Sequence, residues 1–341
     1  MTDLIRSACL THYSDVARSV GLDPREMLRQ VRLPFRCLEQ QDIRIAVASL
    51  RRLLEASTTA AGIEDFGLRL AQRDDLSTLG PVGLVVREQK TVGAAIEMLA
   101  RYVHVHTEAV RLEIEFRDDL VMLVAHLRGR PHRATRQSME MTVGMLHRII
   151  RALLNENWRP REVHFMHAPP RSRRFHRQFF GCEVRFDSDF DAILCSADDM
   201  NRIIPTAHPA IASYVERRIE LIAARPESPD EKVRELVRSL LPDGNCTIEL
   251  VAQHLGCDRR TVHRRLSEQS TSFSAILDAE RADIAMRLIE DGSRPLKEIA
   301  GLLGFSAQSA LARWFRGKFH CSISEWRGDD RRRAVTALPR W

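Results

Sequence analysis

Two short stretches of this chain concentrate side chains able to read a patterned polyanion. In the first, Arg260, His263, Arg264 and Ser267 fall at i, i+3, i+4 and i+7 of a helix, with Val262 and Leu266 on its other side. In the second, Leu311 and Phe315 take the apolar positions, so Gln308, Ser309, Ala312, Arg313 and Arg316 form the opposite face. Each residue type has its own chemistry. A guanidinium bonds both acceptors of a guanine edge and the Gln308 amide suits an adenine edge, each worth about 1–3 kcal/mol of discrimination; a methyl such as Ala312 can meet only that of thymine. From Ile299 to Ser324 no residue is acidic, whereas Arg313, Arg316 and Lys318 lie within that span, as phosphate contact requires. Arg259 and Arg265 are candidates either for phosphate contact or for pairing with Glu268.

Both faces need an element that turns them outward. Ahead of the first, Ile248, Val251, Ala252 and Leu255 line one helix face, Gly256 stops that helix and Asp258 can cap the next. This is a helix-turn-helix, with the small Ala252 where the helices cross. The pattern recurs after Pro295, with Ala300 at the crossing, Gly304 in the turn and Ser306 as the expected cap. Between the units, Ser272–Glu290 carries an apolar stripe that predicts one long helix packed against both. At 1.5 Å per residue it spans roughly 30 Å, close to the ~34 Å between successive major-groove faces, so one chain can address two grooves.

Upstream the pattern is mixed. Apolar spacing predicts helices over Ile5–Val20, ended by Gly21, and Asp42–Ala56, ended by the Ser57-Thr58-Thr59 run. Val110, Leu112, Ile114 and Phe116 alternate with charged residues, and Asp118-Asp119 leads into Leu120–Leu127, as a hairpin with one buried face would. A helix over Gln137–Asn155 follows, then strands at Glu162–His167 and Glu183–Phe186 with a short helix between them. The expected fold is an α+β N-terminal domain over 1–222, a linker at 223–230 holding Pro226 and Pro229, an all-α domain with two helix-turn-helix units over 231–328, and a basic tail over 329–341.

Bulk properties narrow the class. The 341 residues, 44% hydrophobic and 29% charged, suit two folded domains, and a net charge of +6 is weakly favourable to polyanions. Seven cysteines without CxxC spacing suggest neither a disulfide framework nor a thiolate metal site, which fits a reducing cytoplasm. No leader, membrane span, P-loop, GxGxxG, GxSxG or HExxH is visible, so no cofactor and no enzymatic activity is expected. His104/His106 and His164/His167 read as structural rather than metal-binding, and the basic run Arg171–Arg177 reads as solvated helix surface.

Residues 231–328 resemble the DNA-binding domain of AraC/XylS-type transcription regulators. The likeness rests on the two units, Gly304-Phe305-Ser306, Ser309, Arg313, Phe315 and the closing Ser324-Glu325-Trp326-Arg327. His320 and Ile323 stand where the family commonly has Gly and Pro, and Trp326 replaces a smaller aromatic. By resemblance, base contacts fall on Arg260, His263 and Arg264 and on Gln308, Ser309, Ala312 and Arg313. Trp158–Pro170, Phe179–Phe186 and Ala192–Leu194 resemble the arabinose-binding-type sensor domain of one branch. The resemblance implies a ligand-responsive activator whose partners are promoter DNA, RNA polymerase and a small-molecule effector, and it leaves a homodimer open. The hairpin from Val110 is expected to wall the effector pocket, whose residues the sequence does not specify. Two alternatives stand beside sensing: an oligomerisation or polymerase-contact module, or an enzyme using an activated Cys182 or Cys195, which instead read as buried structural thiols.

Overall fold

The computed structural model describes residues 3–128, 135–223, 228–244 and 246–327. The chain forms two compact units, one ending at Pro226 and the other beginning at Glu227.

The N-terminal unit opens with β1 (Leu4–Arg6), α1 (Tyr13–Ser19), α2 (Pro24–Val31), β2 (Arg44–Ala46), α3 (Val47–Ala61), α4 (Phe66–Arg73), α5 (Pro81–Arg87) and α6 (Val92–His106). The helix expected over Ile5–Val20 is corrected. Its first residues pair antiparallel with β2, Ile5 opposite Ile45, and a 3-10 turn over Ser7–Leu10 precedes α1. Asp42–Ala56 likewise begins as β2, and α3 runs on to Gly62 at φ +66°. The Ser57 and Thr59 hydroxyls donate to the Leu53 and Glu55 carbonyls (2.8 and 2.9 Å), so they are satisfied inside the helix instead of ending it.

The hairpin is β3 (Val110–Arg117) and β4 (Leu120–Leu127), registered Val110 to Leu127, with Asp118 at φ +53° in the turn. Then follow α7 (Arg136–Leu154), β5 (Glu162–His164), α8 (Arg174–Phe180), β6 (Glu183–Arg185), β7 (Ala192–Ser196), α9 (Ala197–Asn201) and α10 (Pro209–Ala223). β5 and β6 are shorter than the strands expected there. Five strands form one sheet in the order β3-β4-β7-β5-β6, antiparallel except for β5 with β6. Val121, Leu123 and Ala125 of β4 join the main core, against which α7 packs. α7 also lies so close to α4 that a β-carbon on Gly144 would come within 2.8 Å of Ala71 Cβ.

The C-terminal unit has no strand among its described residues, and its α-helices are α11 (Pro229–Leu240), α12 (Ile248–His254), α13 (Arg259–Glu268), α14 (Phe273–Asp291), α15 (Leu296–Leu302), α16 (Gln308–Phe319) and α17 (Ile323–Arg327). Pro229 opens α11, where a missing N–H costs nothing, so the expected linker gives up its last residues to a helix. Residues 224–227 of that linker and the tail over 329–341 lie outside the described residues.

Candidate nucleic-acid interface

Caps and turns set the direction of each recognition helix. Thr247 Oγ1 accepts from the Leu250 N–H (3.2 Å) to start α12, and Asp258 Oδ1 accepts from the Thr261 N–H (2.7 Å) to start α13. Hydrogen bonds from Thr261 and from the Arg260 backbone hold the Asp258 carboxyl below its usual range. Gly256 and Gly304 turn the chain at φ +60° and +73°, a conformation costly for residues with a β-carbon. The second turn is one residue longer than the first. Ser306, expected as the cap, lies outside the helix, and α16 starts from Ala307 without a side-chain cap.

Val262 and Leu266 of α13 are buried, as are Leu311 and Phe315 of α16. Arg259, Arg260, His263, Arg264 and Ser267 are exposed, and so are Gln308, Ser309, Ala312, Arg313 and Arg316. Aligned in sequence on their buried residues, the helices pair Arg260 with Ser309, His263 with Ala312, Arg264 with Arg313, and Ser267 with Arg316. Glu268 pairs with Arg264 (3.0 Å), not with Arg259 or Arg265, while Arg259 lies 3.5 Å from Glu249. Among the described residues, the Arg260, Arg313 and Arg316 guanidiniums make no hydrogen bond or ion pair. Three cationic groups on the two faces therefore have no ion-pair partner among the described residues.

The sequence did not reveal what holds the second face in place. Asp278 of α14 accepts from Trp314 Nε1–H (2.5 Å) and Lys318 Nζ (2.6 Å), both on α16. Burial works against the Asp278 charge, but these donors hold its carboxyl below the usual range. Lys318, expected to face phosphate, is tied to this pair. Arg281 donates from Nε to the Leu303 carbonyl (2.9 Å) and lies 4.9 Å from the Phe305 ring centroid. On the same helix the buried Glu280 receives Arg238 Nε (2.7 Å) and Arg234 Nη1 (3.3 Å) from α11. An acidic residue within an apolar stripe gives no hint of its partners, which come from a different helix. Ala285 and Ile289 of α14 close the apolar core of the second unit with Ile299, Leu311, Phe315 and Trp326. At the end of α16 His320 adopts φ +57°, the left-handed conformation that glycine favours.

The N-terminal unit holds a partly open cavity in which the centres of water-sized molecules can occupy about 70 Å³. Val110 and Leu112 of β3 and Ala125 of β4 wall it, facing α6 and α7. Cys195 is buried and Cys182 half-buried, and burial pushes both thiols up to about 12, so neither supplies a thiolate near neutral pH. Of the histidine pairs, His104 is exposed while His106, two residues on, is buried at the cavity. His164 contacts Glu162 (2.9 Å) and His167 contacts Glu140 (3.3 Å). In the basic run, Arg171, Arg173, Arg174 and Arg177 are exposed and His176 is buried.

Residues 21–204 match the family model described as the arabinose-binding domain of AraC transcription regulator, and residues 251–329 match a helix-turn-helix domain. This chain belongs to the AraC-type transcription regulators. Sequence similarity to two curated relatives extends over nearly their whole length. The HTH-type transcriptional regulator VirS of Mycobacterium tuberculosis is 31% identical over 333 residues, 95% of this chain and 96% of that protein. The ornithine utilization regulator of Pseudomonas aeruginosa is 25% identical over 304 residues, 89% and 90% of the two chains. The solved transcriptional regulator CdpR of Pseudomonas aeruginosa aligns at 21% identity and a TM-score of 0.39 over 76% of this chain and 85% of that one. As an AraC-type regulator the chain binds DNA through its helix-turn-helix region. No helix among its described residues is long and apolar enough to cross a membrane.

Proposed function

We propose that this regulator is a ligand-responsive activator acting in the cytoplasm, with sensing assigned to residues 1–222 and DNA reading to 231–328. The linker lies within residues 223–230, whose last two open α11, and 329–341 form a basic tail. α13 and α16 enter adjacent major grooves of one promoter. Arg260, His263 and Arg264 read bases in the first, Gln308, Ser309, Ala312 and Arg313 in the second, and Arg259 and Arg316 hold phosphates. The observation that carries this reading is the pair of exposed, basic faces, each anchored to the 19-residue α14. At 1.5 Å per residue α14 spans about 28 Å, comparable to one turn of B-DNA. Because the faces differ in chemistry, the two half-sites are unequal. RNA polymerase is the downstream partner.

In vitro selection from random duplexes with the full chain tests the DNA reading. The expected product is two dissimilar base clusters about one helical turn apart. A motif confined to one cluster, or a footprint of a single turn, overturns it. A second copy is a further partner: Ile211, Tyr214, Leu221 and Ile222 of α10 are exposed apolar residues that favour pairing, and sedimentation at micromolar concentration checks it.

A further inference from the structure

We propose that the cavity of the N-terminal unit receives a mainly hydrophobic small molecule carrying one hydroxyl or carbonyl group, and that His106 bonds that group. The proposal rests on the sensor reading above and gives it a chemical class. Leu99 and Val103 of α6, Leu112 of β3, and Met141, Met145 and Ile149 of α7 present carbon and sulfur to the space. No charged side chain is among the residues that line it.

The polar atoms on the wall are nearly all engaged. Thr142 Oγ1 donates to the Ser138 carbonyl (2.8 Å), and Thr107 Oγ1 accepts from the Ala109 N–H (3.3 Å). Burial holds the Cys9 thiol protonated. His106 differs, because its side chain is almost wholly buried and its Nδ1 has no hydrogen-bond partner among the described residues. Burial, with the Arg6 and Arg44 charges, pushes its pKa down to about 3. The neutral ring has one donor and one acceptor nitrogen, which suits a hydroxyl or a carbonyl.

That inventory argues against the ligand suggested by the name of the matching family model. A pentose has a hydroxyl on nearly every carbon, and a polar group buried without a partner costs about 1–3 kcal/mol. A zwitterionic amino acid would bury two charges against a wall that carries none, at still greater cost. An apolar body with one polar head leaves nothing unpaired. His106 also closes α6 beside Thr107, which bridges to Ile5 of β1, so the head group would sit where helix, small sheet and hairpin meet.

Thermal unfolding and calorimetric titration of the full chain, using 2-naphthol, decan-1-ol, naphthalene, L-arabinose and L-ornithine as probes, test the proposal. The alcohols are expected to bind and raise the melting temperature, and Ala125→Leu, which fills the space, to abolish this; Met145→Phe serves if that variant does not fold. His106→Leu is expected to weaken 2-naphthol by about 3- to 10-fold, the worth of one hydrogen bond, and to leave naphthalene unchanged. Equal weakening of both would overturn the role of His106. Binding of arabinose or ornithine, lost in Ala125→Leu while the alcohols do not bind, would overturn the ligand class and leave sensing standing. No binding by any probe or by a broad metabolite collection would overturn both.

Discussion

Replacing Arg264 by Ala removes one proposed base reader and leaves the helix that carries it intact. The Arg264 side chain is 66% exposed, and its Nη1 lies 3.0 Å from Glu268 Oε1, itself 55% exposed. To reach a base edge the guanidinium must leave that carboxylate, and an exposed i, i+4 pair holds it by only about 0.3–0.5 kcal/mol. A bidentate guanine contact returns about 1–3 kcal/mol. The net loss in Arg264→Ala is therefore about 0.5–2.7 kcal/mol, or roughly 2- to 90-fold in Kd. Selection from random duplexes followed by titration at several salt concentrations reads both consequences. Preference should relax at one base pair of the α13 half-site while the α16 half-site persists. Glu268→Ala, which frees the same guanidinium, should shift affinity slightly the other way. An unchanged motif and Kd in Arg264→Ala would refute the assignment of this face.

His320→Gly should stabilise the C-terminal unit by about 0.5–1 kcal/mol, because relief of the left-handed backbone outweighs the added unfolded-state entropy; calorimetry reads it, and His320→Ala should show no such gain. Asp278→Ala frees Lys318 and releases Trp314, so we expect about 1–2 kcal/mol lower stability, weaker binding at the α16 half-site, and a salt dependence steeper by about one charge. Unchanged footprints and salt slopes would remove Asp278 from this positioning role. Burial pushes the Asp74 carboxyl up from 3.8 to about 7, so its contribution to stability is present below about pH 4 and lost as pH rises through 7. Asp74→Asn should flatten that loss and raise the melting temperature at pH 8, and parallel pH profiles for the two proteins would contradict it.

The exposed faces of α13 and α16 were legible because everything that forms them is local. Helical spacing separates Val262 and Leu266 from Arg260, His263 and Arg264 within two turns, and Asp258 caps through its near neighbour Thr261. The strands and Asp-Asp turn of the hairpin from Val110 were legible for the same reason, but its expected buried face was not, since Phe116 is 67% exposed and of the four alternating apolar residues only Leu112 is buried. Ile5–Val20 was misread because its first residues belong to a strand whose partner, β2, lies some forty residues away, and non-local pairing overrides apolar spacing. The supports of α16 were hidden likewise: nothing around Asp278 or Arg281 announces Trp314 or Leu303. The cavity and the unpaired His106 nitrogen exist only once α6, α7 and the hairpin are packed.

The longer turn before α16 sets how specificity can be moved between the two readers. An engineer who aligned the units on Gly256 and Gly304 would graft Gln308, Leu311, Ala312 and Phe315 onto the positions of Arg260, His263, Arg264 and Ser267. Two of those four are core residues of the second unit. The chimera would present a leucine and a phenylalanine where the proposed base contacts belong, and its failure could be mistaken for incompatibility between the modules. Alignment on the first residue of each recognition helix instead carries Ser309, Ala312, Arg313 and Arg316 across as an intact face.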